Sequence, residues 1–370
     1  MMKILGHQGK IAAVAFGVLI STALFAGNED RAGQAGASHL LINPWARSSS
    51  WGGANSANQR GLEGQFMNVA GLAFTSKTEI LFANTQWLAG SGISINAFGL
   101  AQRLGKSAGV LGLTITSMSF GDIPITTTQN PEGTGAFYSP RFLNIGVSYA
   151  KSFSDKIHGG ITLRVINESI ANVSASGICL DAGVQYQTSI GKGELKKDNF
   201  VFGIALKNIG PKLRYNGDGL SSGAILPTGA ELTVDQRSSD FEMPALLNIG
   251  VMYRGRFTKD HVVSTAFNFT TNSFTRDQFI LGLEYSWKDI IMLRGGYTFE
   301  KGIFSSDRSA LNTNLYTAFT GPSAGASVDI PLGKNKNDNE KPKVKFGLDY
   351  AFRATYAFQG VHTIGGRITL

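Results

Sequence analysis

Leu143, Ile145, Val147 and Tyr149 alternate with Asn144, Gly146 and Ser148, and the arrangement returns as Leu247, Ile249, Val251 and Tyr253 against Asn248, Gly250 and Met252. Side chains of an extended chain point to opposite faces in turn, so each stretch has one oily face and one small or polar face. This predicts strands rather than helices. The same period runs through most of the chain after Thr78. Leu111, Leu113 and Ile115 oppose Gly112, Thr114 and Thr116, and Ile161, Leu163 and Val165 oppose Thr162 and Arg164. Phe279, Leu281, Leu283 and Tyr285 oppose Gly282 and Glu284, and Ile364, Ile368 and Leu370 oppose Arg367 and Thr369. Arg164, Lys207, Arg254, Glu284, Arg294, Asp349 and Arg367 all fall on the Gly/Ser/Thr side.

A soluble sandwich and a membrane barrel both produce this pattern, with the oily face turned to a core in one and to lipid in the other. Strand length separates them. Soluble strands mostly run about 5–6 residues, whereas a tilted membrane strand needs about 9–11. The segments here are of the longer kind. Fourteen are predicted, starting near Thr78, Ser91, Ser107, Phe142, Lys156, Ala175, Asn199, Pro244, Lys259, Asp277, Ile290, Pro322, Lys343 and Val361. The long connections, 120–141, 209–243 and 301–321, all fall on one side, and short turns near Gly105, Ser154 and Arg256 fall on the other. Short turns face the periplasm and long loops the exterior in outer-membrane barrels. The last predicted strand reaches the final residue and can pair with the first, which leaves no open edge. The fold class expected is therefore all-β: a transmembrane antiparallel barrel of about 14 strands spanning 77–370, multi-pass in a bacterial outer membrane.

Composition agrees, with 46 Gly, 24 Phe and 10 Tyr in 370 residues. Residues 1–26 read as a signal peptide: Lys3 and Lys10 precede an apolar run from Ile11 to Phe25 that is short for a span, followed by a small residue at Ala26. Its removal lowers the formal charge of +8 by two, and no basic block dense enough for nucleic acid is left. Cys179 is alone, so no intramolecular disulfide forms.

Chemistry-bearing motifs are few. His7, His39, His158, His261 and His362 show no metal-ligand spacing, and no nucleophile elbow, phosphate loop or dinucleotide fingerprint occurs. Gly90-Ser91-Gly92 reads as a hairpin turn. Asn216-Gly217-Asp218-Gly219 lacks the downstream Glu of a calcium loop and reads as a turn. Neither an enzyme nor a cofactor is expected.

Residues 27–76 do not alternate. Leu40, Leu41, Ile42, Trp45, Trp51, Phe66, Met67, Leu72 and Phe74 are more oily side chains than a disordered tail carries. Gly52, Gly53 and Gly71 permit close turns, and Asn68 can tie loop amides together. A barrel this wide is not filled by its own wall, so the segment is expected to plug it.

Ala46-Arg47, then Trp51-Gly52-Gly53-Ala54, then Asn68-Val69-Ala70-Gly71-Leu72 resembles the N-terminal signature of the PorV/PorQ family. Trp51 and Val69 depart from it, standing where the family has Met and Pro. The resemblance makes Arg47, Gly52, Gly53, Asn68, Ala70, Gly71 and Leu72 the plug motif. It implies a barrel similar to the fatty-acid transporter FadL that serves the type IX secretion system of Bacteroidetes, docking on a large translocon barrel or on secreted cargo. The contact regions expected are then 121–140 and 211–242, with Phe137, Tyr138 and Tyr215 as aromatic anchors. The alternative is a FadL-like transporter of hydrophobic small molecules, which needs an apolar pocket; the Gly, Ser, Thr and charge of the inward faces argue against a continuous oily conduit. A general porin is the third possibility, opposed by the plug.

Overall fold

The computed structural model describes residues 31–105, 107–300, 318, 320–332, 344–355 and 358–370. The signal peptide expected at 1–26, most of the long connection 301–321 and the connection 333–342 lie outside the described residues. The wall consists of β1 (Thr78–Trp87), β2 (Ile93–Arg103), β3 (Val110–Ser119), β4 (Arg141–Ser152), β5 (Ile157–Ile170), β6 (Val173–Thr188) and β7 (Phe200–Ile209). It continues through β8 (Leu246–Arg256), β9 (His261–Asn272), β10 (Gln278–Trp287), β11 (Ile291–Glu300), β12 (Gly321–Leu332), β13 (Val344–Arg353) and β14 (Val361–Thr369).

Each strand pairs antiparallel with its neighbours in sequence, and β14 pairs with β1 from Glu79↔Thr369 to Gln86↔His362, closing a fourteen-stranded barrel. All fourteen strands expected from alternation are present. Closure is the physical requirement here, because a bilayer supplies no hydrogen-bond partner for an exposed strand edge. Two small hairpins sit in the outward loops, Ile123–Pro124 with Phe137–Tyr138 and Ser221–Ile225 with Glu231–Asp235.

The alternation resolves as expected. Ile161, Leu163 and Val165 are each about half exposed on the outside, while Thr162 and Arg164 between them are buried inside. The same division holds along β10, where Leu281 and Leu283 face out, and along β14 at Ile364. An oily surface of this extent is stable only against hydrocarbon. The chain is a membrane-spanning barrel of the outer-membrane kind.

One strand breaks the simple period. Between β6 and β7 the register shifts from Ala182↔Leu206 to Leu180↔Ile209. Asn208 adopts a left-handed φ of 59° at this bulge, and the consecutive residues Lys207 and Asn208 are both buried. The Asn208 amide, displaced from the ladder, donates to Asp181 Oδ1 at 2.7 Å.

The core lies within the lumen. Residues 31–76 begin at the outer rim, where Gly36 N donates to Glu242 O at 3.0 Å and Arg31 pairs with Glu242 at 2.9 Å. They end at the opposite rim, where Arg103 Nε donates to Thr75 O at 2.8 Å and Ser76 Oγ to Leu370 O at 3.1 Å. Between these anchors lie a 3-10 turn (Ser38–Leu41), α1 (Ala46–Ser50), α2 (Gly64–Met67) and a second 3-10 turn (Val69–Phe74). Trp45, Leu62, Phe66, Met67 and Leu72 pack against small wall residues Ala83, Ala97, Ala101 and Ala150; Trp51, Ala54 and Ala57 pack against Val201, Met252, Ala266 and Ile280.

The inward glycines make this fit possible. A Cβ at Gly99 would meet Leu62, one at Gly146 would meet Gln65, one at Gly183 would fall on Asn68 Oδ1, and one at Gly296 on Trp51 O. These wall glycines are thus room for the inner segment. Gly183→Val is expected to lower the unfolding free energy by about 1–3 kcal/mol through overpacking, read as a lower urea midpoint. Leu163→Arg, at the centre of β5 on the lipid face, is expected to cost about 2–4 kcal/mol in a bilayer, measured by the same titration in vesicles.

Candidate functional site

The residues singled out in the inner segment converge on its packing. Arg47, on α1, places Nε 4.0 Å from Glu63 Oε1, and Glu63 also accepts from Ser48 N at 3.1 Å. Gly52 and Gly53 turn the chain with φ of 66° and 99°, which lets Gly52 O accept from Thr298 Oγ1 at 3.0 Å. Asn68 is the principal tie. Its Oδ1 accepts from Ala70 N at 3.1 Å, and its Nδ2 faces the carbonyls of Ser56 at 2.9 Å, Val184 at 3.1 Å and Ile204 at 3.3 Å, joining the segment to β6 and β7. Ala70, Gly71 and Leu72 are buried in the turn that Asn68 caps, and a Cβ on Gly71 would fall on Gln59 O.

Lumen charges are organised in pairs. Arg164 meets Asp181 at 2.7 Å and donates to Gln65 O at 2.8 Å; Arg294 meets Glu284 at 2.6 Å and Ser327 Oγ at 2.6 Å; Arg367 meets Asp329. Lys207 lays its ammonium 4.0 Å from the Phe66 ring centre. Among the described residues no group of three or more His, Cys, Asp or Glu can hold a metal ion. His158, His261 and His362 are each engaged separately, with Ser152, Tyr285 and Tyr350. Cys179 is buried beside Leu40, Ile166, Leu213 and Met243.

Phe137 and Tyr138 sit on the small outer hairpin, with Phe137 largely exposed. Tyr215 turns inward: its hydroxyl donates to Glu168, its ring lies 5.3 Å from that of Phe241, and burial followed by that hydrogen bond holds its phenol pKa above the ordinary value. The loop carrying Tyr215 and Phe241 is fastened to the inner segment through Glu242, whose carboxyl the hydrogen bonds from Arg31 and Lys212 hold below the usual carboxylate range.

These contacts frame a cavity of about 420 Å³ at the outer end, lined by Ile42, Trp87, Met118, Phe120, Phe142 and Phe241, with His39, Glu168 and Tyr215 at one corner. Trp87 and Ile42 also border a small gap of about 10 Å³, and Asn43, Ser49 and Arg353 border both that gap and an inner cavity of about 100 Å³ reaching Phe66, Met67 and Ile280. The spaces therefore follow one another along residues 36–53. Every wall residue that lines them lies in the outer half of its strand.

The inward mid-strand positions argued against a continuous oily conduit; what they did not disclose is the separate oily cavity at the outer end. The oily side chains come from strand ends (Trp87, Met118, Phe142), from loops (Phe120, Phe241) and from the inner segment (Ile42). A large aromatic or Met at the outward end of a strand was the available signal.

No family model and no curated protein matches the chain. Solved structures do. The TodX deltaS2S3 mutant monoaromatic hydrocarbon channel is 15% identical with a TM-score of 0.50, covering 87% of this chain and 97% of its own. The Pseudomonas putida toluene transporter TodX is 13% identical with a TM-score of 0.50, covering 88% and 96%. A Pseudomonas aeruginosa FadL homologue is 12% identical with a TM-score of 0.44, covering 88% and 96%. The expectation of a type IX secretion component docked on a translocon or cargo is corrected by these findings: the two TodX barrels that share this architecture are a hydrocarbon channel and a toluene transporter, and no family model or curated protein ties the chain to the PorV/PorQ proteins. In fold the chain is a fourteen-stranded outer-membrane barrel similar to the TodX barrels.

Proposed function

We propose that the barrel is a non-enzymatic outer-membrane transporter of small hydrophobic molecules and that residues 31–76 are the plug that closes it. The observation that carries this reading is the outer cavity. At about 420 Å³ it is of the size and lining that hold a small ligand, and it abuts further space along the inner segment. An oily molecule arriving at the outer rim exchanges water for Trp87, Met118, Phe120 and Phe142, at roughly 25 cal/mol per Å² of apolar surface covered. The two TodX barrels, monoaromatic hydrocarbon channel and toluene transporter, support the reading by shared architecture.

The lumen argues against an open pore. Asn68, Gly52 and Ser50 bond the segment to β6, β7, β11 and β12, and Leu62, Phe66 and Leu72 fill the space against the wall. Passage onward requires the segment to give way, while ions and water meet a closed barrel.

The test is uptake of labelled toluene by cells that do or do not carry the protein in the outer membrane. Faster uptake with the native chain is expected, with a loss of at least about tenfold in the protein-dependent rate for Phe142→Arg, which sets a charge among the oily side chains of the cavity. Equal uptake with and without the protein, or steady ion conductance through the purified barrel in a planar bilayer, overturns the reading.

A further inference from the structure

The outer cavity has one corner that a pure hydrocarbon leaves unused. His39 and Glu168 are buried there, with side-chain exposures of 7% and 4%. Glu168 takes the Tyr215 hydroxyl on Oε2. Its Oε1 lies 3.1 Å from His39 Nδ1, within ion-pair reach, and His39 Nε2 has no hydrogen-bond partner. Buried polar atoms in folded proteins are nearly always satisfied. Here an unsatisfied nitrogen belongs to a cavity whose other side chains, apart from Ser38, Glu168 and Tyr215, are oily.

We propose that this cavity selects aromatic molecules bearing a hydroxyl group over the parent hydrocarbons, with His39 and Glu168 engaging the hydroxyl; the inference rests on the transporter reading above. A hydroxyl both donates and accepts. It can give its proton to Glu168 Oε1 or to an unprotonated imidazole nitrogen while accepting from an imidazole N–H. An ether oxygen only accepts, a hydrocarbon does neither, and a carboxylate ligand is repelled by Glu168. The rest of the molecule is specified by the walls. Phe120 and Phe142 meet edge to face with centroids 4.9 Å apart, the His39 ring lies 5.0 Å from Phe142, and Trp87 and Phe241 complete a lining suited to a planar ring.

The experiment titrates the detergent-solubilised full chain with 4-ethylphenol, ethylbenzene and 4-ethylanisole by calorimetry. The phenol is expected to bind about tenfold more tightly than either of the others, the worth of one net hydrogen bond. In His39→Leu the ratio of phenol to hydrocarbon affinity is expected to fall to about one. Circular dichroism confirms that the variant is folded; should it not fold, the comparison of phenol with methyl ether on the native chain carries the test alone. Equal affinities for all three compounds on the native chain overturn this inference and leave the transporter reading standing. Absence of binding by all three overturns both.

Discussion

A bilayer offers the backbone nothing to bond with, and the rest of this structure follows from that. Every strand must find two neighbours, so the sheet closes through β1 and β14. Once closed, the sheet turns the usual order of a protein inside out. Oily side chains such as Leu163 and Ile364 face lipid, and the smaller, polar face encloses a hollow too wide for its own side chains. The chain fills that hollow with its own residues 31–76. The wall accommodates them with Gly99, Gly146, Gly183 and Gly296, each set where a Cβ would strike the segment.

The lumen is held by directional contacts as much as by packing. Asn68 joins two stretches of the segment to two wall strands through one amide, so its position is over-determined. Arg164 bridges wall and segment by meeting Asp181 and Gln65 O together, and Asp181 also receives the Asn208 amide released by the bulge in β7. Buried charges at such positions cost desolvation unless paired and hydrogen-bonded, which the described pairs are. The outer half differs: there the segment thins to a 3-10 turn and an extended stretch, and the cavities lie along it. Close packing towards one rim and room towards the other make the two halves of the lumen unlike.

The sequence disclosed the wall almost completely. Alternation at 143–149, 247–253 and 279–285 set strand number, facing and loop parity, because a period of two has one meaning when each strand is long enough to span. The inner segment was legible too: its lack of alternation and its oily residues Leu40, Trp45 and Leu72 marked it as packed, and Asn68 as a tie. The bulge at Lys207–Asn208 was not, since a shift of register depends on what the neighbouring strand offers, here the Asp181 carboxylate. The N-terminal likeness to PorV/PorQ proteins pointed to a secretion role that structural comparison did not uphold; a short turn-forming motif reports how a segment packs more than what the barrel carries.

What the sequence determined by itself is therefore the barrel: its closure, its two faces and the presence of a filling segment, all fixed by local period and by the demand that no backbone group be stranded in lipid. What only the tertiary structure decided is the cavity. Ile42, Trp87, Met118, Phe142, Glu168, Tyr215 and Phe241 are scattered over some two hundred positions and share no period. They meet because barrel closure brings strand ends round one rim and because Arg31 and the Gly36 amide hold Glu242, joining a distant loop to the start of the inner segment. Such a meeting is set by long-range geometry, which no window along the chain contains.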